Sequence, residues 1–164
     1  MKKIIFINFF IIIFFIIFLE LTLNFFKLSG LMGIQSGLIG TKNESHFMIP
    51  NSNGIIFGEK VYIDKNGFRV PKKNFKYKNN KNIYIIGDST TFGNGVLEEN
   101  TFVGLLRNKF TEVNFLNSAV PGYQIKNHIN NLNKIKDFDN IDKIFYFFTL
   151  NDVLNSTNIV DKKD

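Results

Sequence analysis

The sequence of 164 residues contains no cysteine and no tryptophan, only three prolines and only two histidines. Without thiols the chain can form neither disulfides nor thiolate metal sites, and it carries no mark of an oxidising or a reducing compartment. The two histidines, His46 and His128, are the only imidazoles available for general base chemistry. Neither a Gly-x-Gly-x-x-Gly nor a Walker-type phosphate loop occurs, which counts against a nucleotide-binding sheet edge. No internal repeat is found.

Phenylalanine is abundant, with 20 copies, and the net charge of +6 comes mainly from scattered lysines. Lys72, Lys73, Lys76, Lys78 and Lys81 surround Phe75 and Tyr77. That cluster reads as a solvated linker before a folded domain rather than as a nucleic-acid surface.

The apolar residues concentrate at the N-terminus. Lys2 and Lys3 precede Ile4 to Leu19, broken only by Asn8, and apolar residues continue around Glu20 and Asn24 to Phe26. A span needs about 20 residues and a secretory apolar core only about 7 to 15, so this stretch is long enough to cross a bilayer. Glu20 lies roughly 10 Å from the centre of such a helix at 1.5 Å rise per residue, close to the interface, where a charge costs less. No small-x-small cleavage site follows, and without cysteine there is no lipobox. Residues 1–28 are therefore expected to be a retained, single-pass anchor contacting membrane lipid. The flanking lysines favour a cytoplasmic N-terminus, with the rest periplasmic or extracellular.

About 135 residues follow the anchor, enough for one core. Residues 29–82 read as a linker and small β-hairpin region. Ser29 to Gly40 is rich in small residues, and Asn66-Gly67 signals a type I′ hairpin. Asp64 to Arg69 lacks the alternating oxygen ligands of a calcium loop, so no metal is expected there. In residues 83–164, strand candidates Ile83 to Ile86, Val113 to Leu116 and Ile144 to Phe148 alternate with two helical patterns. The first helix has Phe102, Leu105, Leu106 and Phe110 on one face, capped by Asn100; the second has Ile125, Ile129, Leu132 and Ile135, with His128 at the edge of the stripe. Such alternation predicts an α/β fold with a parallel sheet.

The first of these strands leads into Gly87-Asp88-Ser89. An apolar strand ending in glycine, acid and serine either simply turns or presents a nucleophilic hydroxyl at the carboxyl edge of a sheet. After the second strand comes Asn117-Ser118-Ala119-Val120-Pro121-Gly122-Tyr123, and after the third Thr149-Leu150-Asn151-Asp152. Singly, Gly122 could serve a turn and Asn151 could cap local structure.

Taken in order, the three segments resemble the first three sequence blocks of the SGNH, or GDSL, hydrolase family, and the resemblance covers residues 83 to 153. Segments like Asn66 to Arg69 also resemble the lead-in of membrane-attached members. The resemblance implies a flavodoxin-like three-layer α/β/α fold, with the first strand between the second and third. It implies Ser89 as nucleophile, with the Ser89 and Gly122 N–H groups and the Asn151 side-chain amide as oxyanion donors. The implied substrate is a small-molecule or glycan ester, with no cofactor and no nucleic-acid partner. The family's late Asp-x-x-His, which supplies base and orienting acid, is absent, and three strands stand where the family has five. The chain is thus expected to be an incomplete or degenerate hydrolase, with the third strand an unprotected sheet edge. The alternative is a catalytically inactive binding module for acylated glycans.

Overall fold

The computed structural model of the protein describes residues 2–25, 30–42, 45–78, 81–133, 140–150 and 152. The first element, α1 (Lys2–Phe25), is one continuous helix. Its Lys3–Phe25 stretch is long and apolar enough to cross a membrane, as an anchor or a signal sequence would be, and none of it is buried within the protein. Thr22 Oγ1 donates to Phe18 O at 2.7 Å, so this hydroxyl is satisfied inside the helix.

A hairpin of β1 (Ile39–Lys42) and β2 (Ser45–Met48) stands apart from a sheet of six strands. These are β3 (Asn53–Ile56), β4 (Glu59–Ile63), β5 (Arg69–Val70), β6 (Asn82–Ile86), β7 (Asn114–Asn117) and β8 (Ile141–Tyr146), in the order β3-β4-β5-β7-β6-β8. Strand β6 runs parallel to both neighbours, β7 and β8, and lies between them, so the expected order of the three parallel strands is present. Between them the chain forms α2 (Ser89–Phe92), a 3-10 turn (Glu98–Asn100), α3 (Phe102–Lys109) and α4 (Ile125–Asn133).

Side chains alternate across a strand, and β6 uses both faces. Ile85 packs with Val103 of α3 and Phe115, whereas Tyr84 and Ile86 pack with Phe68 and Leu116. On the second face Tyr84 Oη donates to Asn131 Oδ1 of α4 at 3.2 Å. The two longer helices after α1 thus meet opposite faces of one strand.

The segment read as linker and small hairpin region does more than connect. Strands β3, β4 and β5 extend the same sheet with antiparallel pairs, and β5 joins β7 through Arg69 opposite Asn117. Leu38, Met48, Ile56, Val61 and Ile63 form one core cluster with Phe92, Ala119, Val120 and Tyr123. The glycine-rich stretch covers the free edge of β3: Gln35 N donates to Ile55 O, and Gly58 N to Gly30 O, both at 2.9 Å. A Cβ on Gly30 would stand 2.6 Å from Ile55 Cβ, so only glycine allows this approach.

Local signals misplace three features. The type I′ geometry belongs to Phe57 and Gly58, at φ 47° and 85° between the paired Ile56 and Glu59. At Asn66-Gly67 only the glycine has positive φ, and Asp64 shapes the turn by accepting from Asn66 N and Phe68 N. The cap of α3 is Thr101, whose Oγ1 accepts from Gly104 N at 3.1 Å, because Asn100 is taken up by the 3-10 turn. Helix α4 turns its expected core stripe outward: Ile125, Ile129 and Leu132 are 38–56% exposed, while His128 and Asn131 are 3% and 5% exposed, and Ile135 lies outside the described residues. Tyr84 and Ser118 present polar groups to α4, and buried polar groups require partners, which Asn131 supplies. Beyond β8 no described strand pairs, and Ile144, Phe145 and Tyr146 are all exposed.

Candidate functional site at the carboxyl ends of the parallel strands

Strand β6 ends at Ile86, and the chain turns at once into the single-turn helix α2. Asp88 caps that helix: its backbone is extended, at φ −97°, and its Oδ1 accepts from Thr90 N at 2.9 Å. Ser89 is the first helical residue and is half-buried. Its N–H belongs to the first turn of the helix, where backbone donors have no intrahelical acceptor. Gly87 has no spare volume, since a Cβ there would stand 2.1 Å from Thr91 Oγ1.

The loop after β7 is stitched to this turn. Val120 N donates to Gly87 O at 3.2 Å, and Asn117 Nδ2 to Thr91 O at 3.3 Å. Asn117 Oδ1 accepts from Ala119 N, which makes this fully buried side chain a strut between the two loops. Below it, Ser118 Oγ donates to Ile85 O at 2.7 Å, and Asn131 Nδ2 donates to Ser118 O at 3.0 Å. Burial pushes the Tyr84 hydroxyl up to about 12, so it remains a neutral donor to Asn131 at physiological pH. Gly122 has φ 80° and is exposed; its position demands glycine for the backbone angle, not for space, as a Cβ would meet only the His46 ring, at 3.5 Å from Nε2 and 3.8 Å from Cε1.

Ser89 and Gly122 therefore sit in hydrogen-bonded loops at the ends of neighbouring parallel strands. Asn151, the third expected site residue, lies outside the described residues. Its neighbour Asp152 is buried. Asp152 Oδ2 accepts from Tyr146 Oη at 2.7 Å and from Thr149 N at 3.1 Å, closing the loop after β8.

Both histidines, unremarkable in the sequence, flank the Gly122 loop. His46 Nε2 is 2.8 Å from Pro121 O; since a carbonyl only accepts, this nitrogen carries the proton. Tyr123 lies between the two imidazoles, with ring centroids 5.2 Å from His46 and 5.5 Å from His128. His128 Nε2 stands 3.5 Å from Asp152 Oδ1. Desolvation lowers the His128 pKa below its usual value, opposed by the nearby Asp152 and Asp88 carboxylates. Although the Tyr146 ring is partly exposed, local desolvation of its hydroxyl, where it donates to Asp152, raises its pKa, reinforced by the Asp152 charge.

Arg69 is the other residue the sequence did not flag individually. Fully buried in β5, it donates to the carbonyls of Phe92, Gly93 and Val96, and its guanidinium carbon lies 4.8 Å from the centre of the Phe92 ring. Desolvation lowers its pKa to about 10, which still leaves the group charged at neutral pH. An extended lead-in ending in arginine was its only sequence signal.

A cavity of about 300 Å³ opens beside the Gly122 loop, lined by Phe47, Met48, Phe68, Val120 and Tyr123, with Tyr84 among its polar groups. No cluster of three or more metal-ligating side chains occurs among the described residues. Comparison of the chain with family models, with curated proteins and with solved structures gives no match.

Proposed function

We propose that the chain is a membrane-anchored serine ester hydrolase of the SGNH type, with a flavodoxin-like arrangement of its parallel strands and an outward-facing domain. Ser89 is the nucleophile. The Ser89 and Gly122 N–H groups and the Asn151 amide stabilise the oxyanion that forms when the hydroxyl attacks an ester carbonyl. The observation that carries this reading is the position of Ser89, at the start of a helical turn, and of the left-handed Gly122 loop after the carboxyl ends of adjacent parallel strands, the two turns tied by Val120 N donating to Gly87 O. Open α/β sheets bind their ligands at that edge.

The base is the weak point of the site. His46 Nε2 is engaged by Pro121 O, and His128 is buried against Asp152. These engagements favour a second reading, a catalytically inactive binding module for acylated glycans.

A fluorophosphonate probe separates the two, with imidazole added as an external base. Under the hydrolase reading the full chain is captured slowly without imidazole and faster with it, and Ser89→Ala abolishes capture. Asn151→Ala slows ester turnover by about 10² to 10³, the usual effect of removing one oxyanion donor. Absence of capture at any imidazole concentration, with the protein folded, selects the binding module.

A further inference from the structure

The polar groups that hold the Ser89 turn converge on one buried cation. Ser89 O accepts two hydrogen bonds, from Gly93 N at 2.9 Å and from Asn94 N at 3.2 Å. Each N–H belongs to a peptide unit whose carbonyl points the other way, Phe92 O for the first and Gly93 O for the second. Both carbonyls accept from Arg69 Nη1, at 2.6 and 2.5 Å, while Nη2 takes Val96 O. Two peptide units therefore bridge the guanidinium to the backbone of Ser89. The preceding carbonyl, Thr91 O, is held by Asn117 Nδ2, and Asn117 is the residue paired with Arg69 in the sheet.

The arrangement is specific to arginine. Helix ends leave carbonyls unpaired and favour positive charge, and a planar fork reaches several acceptors from one position, whereas a lysine ammonium is a single point. Gly93 is part of the fit: a Cβ there would stand 3.0 Å from Nη1 and 2.3 Å from Thr101 Cγ2. No carboxylate within ion-pair distance of Arg69 is found among the described residues, so the carbonyls are its principal hydrogen-bonding partners. The three carbonyls, helped at longer range by the Glu98 and Glu59 carboxylates, offset the cost of burying the charge.

We infer that Arg69 is the positioning residue of the Ser89 turn, clamping the nucleophile's backbone through the Phe92–Gly93 and Gly93–Asn94 peptide units. Its relevance to catalysis rests on the hydrolase reading, but the clamp itself can be tested without it.

The test uses the full chain in detergent micelles with Arg69→Met and Arg69→Lys. Amide hydrogen exchange of residues 88–96 is followed against β6 and β7 as internal references. In Arg69→Met the Gly93 and Asn94 amides should exchange at least about tenfold faster, with the reference strands unchanged, and Arg69→Lys should fall between. Capture by the fluorophosphonate probe with imidazole should slow in step, through the rate of the covalent step and not through probe affinity. Where Arg69→Met does not fold, Arg69→Lys decides: exchange of residues 88–96 identical to the parent's overturns the inference. Loosening spread equally through β6 and β7 also overturns it, by making Arg69 a general core residue. Local loosening in a protein whose parent is never captured upholds the clamp and refutes the hydrolase.

Discussion

Replacing Gly87 by alanine tests the junction on which the site depends. A Cβ at this position would lie 2.1 Å from Thr91 Oγ1, 2.4 Å from Thr91 Cβ and 2.9 Å from Thr91 Cγ2. Rotating Thr91 moves its Oγ1 and Cγ2 but not its Cβ, so a rotamer change cannot relieve the contact. The backbone cannot retreat freely either, since Thr91 is 1% exposed and its carbonyl is held by Asn117. Overpacking of this kind costs about 1–3 kcal/mol, and the upper end applies where no side chain can yield. For a folded domain of this size about 3 kcal/mol lowers Tm by roughly 12 °C. Thr91→Gly removes the opposing Cβ and by itself costs about 1–2 kcal/mol in helix propensity and lost packing. The two changes together should be less destabilising than their sum by about 2 kcal/mol, because the clash disappears. Thermal unfolding of the detergent-solubilised chain, followed by near-ultraviolet circular dichroism, measures all four proteins. A Gly87→Ala protein within about 0.5 kcal/mol of the parent, or additivity within that margin, would refute the reasoning.

Three further outcomes are expected. Gly122→Ala meets backbone strain without a clash, so it should cost only about 1–2 kcal/mol, a smaller Tm shift than Gly87→Ala gives in the same assay. Stability should fall as pH drops below about 6.5: the unfolded His128 takes up a proton there, while burial holds the native pKa lower, so this contribution is fully present above 6.5 and is lost as pH falls through the native value. His128→Gln should flatten the limb between pH 7 and 5 in denaturant titrations, and an unchanged slope counts against it. Carbonate washing should leave the full chain in the membrane pellet, held by α1, and deleting residues 2–25 should release it; a parent released by carbonate is not anchored.

Much of the frame is legible in the residues. The N-terminal helix follows from composition alone, because a long, almost wholly apolar run satisfies its backbone hydrogen bonds internally as a helix. The alternation of apolar strands and helical patterns after Ile83 yields the parallel pairs of β6 with β7 and β8, and the glycine-acid-serine and proline-glycine segments fall at strand ends as their turn chemistry demands. Of the expected site, Ser89 and Gly122 come to neighbouring loops, whereas Asn151 lies outside the described residues.

Burial in α4 was not legible, and neither was the partner of Arg69. A periodic apolar stripe states which residues share a helix face but not which face turns inward; Tyr84 and Ser118 settle that by offering polar groups that Asn131 must satisfy. Arg69 stands in a strand of two residues whose place beside Asn117 depends on a pairing across 48 positions of sequence, beyond the reach of any local signal. By itself the sequence determined the elements and the turn residues at their ends, because those depend on neighbours a few positions away. The tertiary structure alone decided which polar side chains entered the core and which carbonyls they hold, because that depends on groups brought together only when distant segments pack.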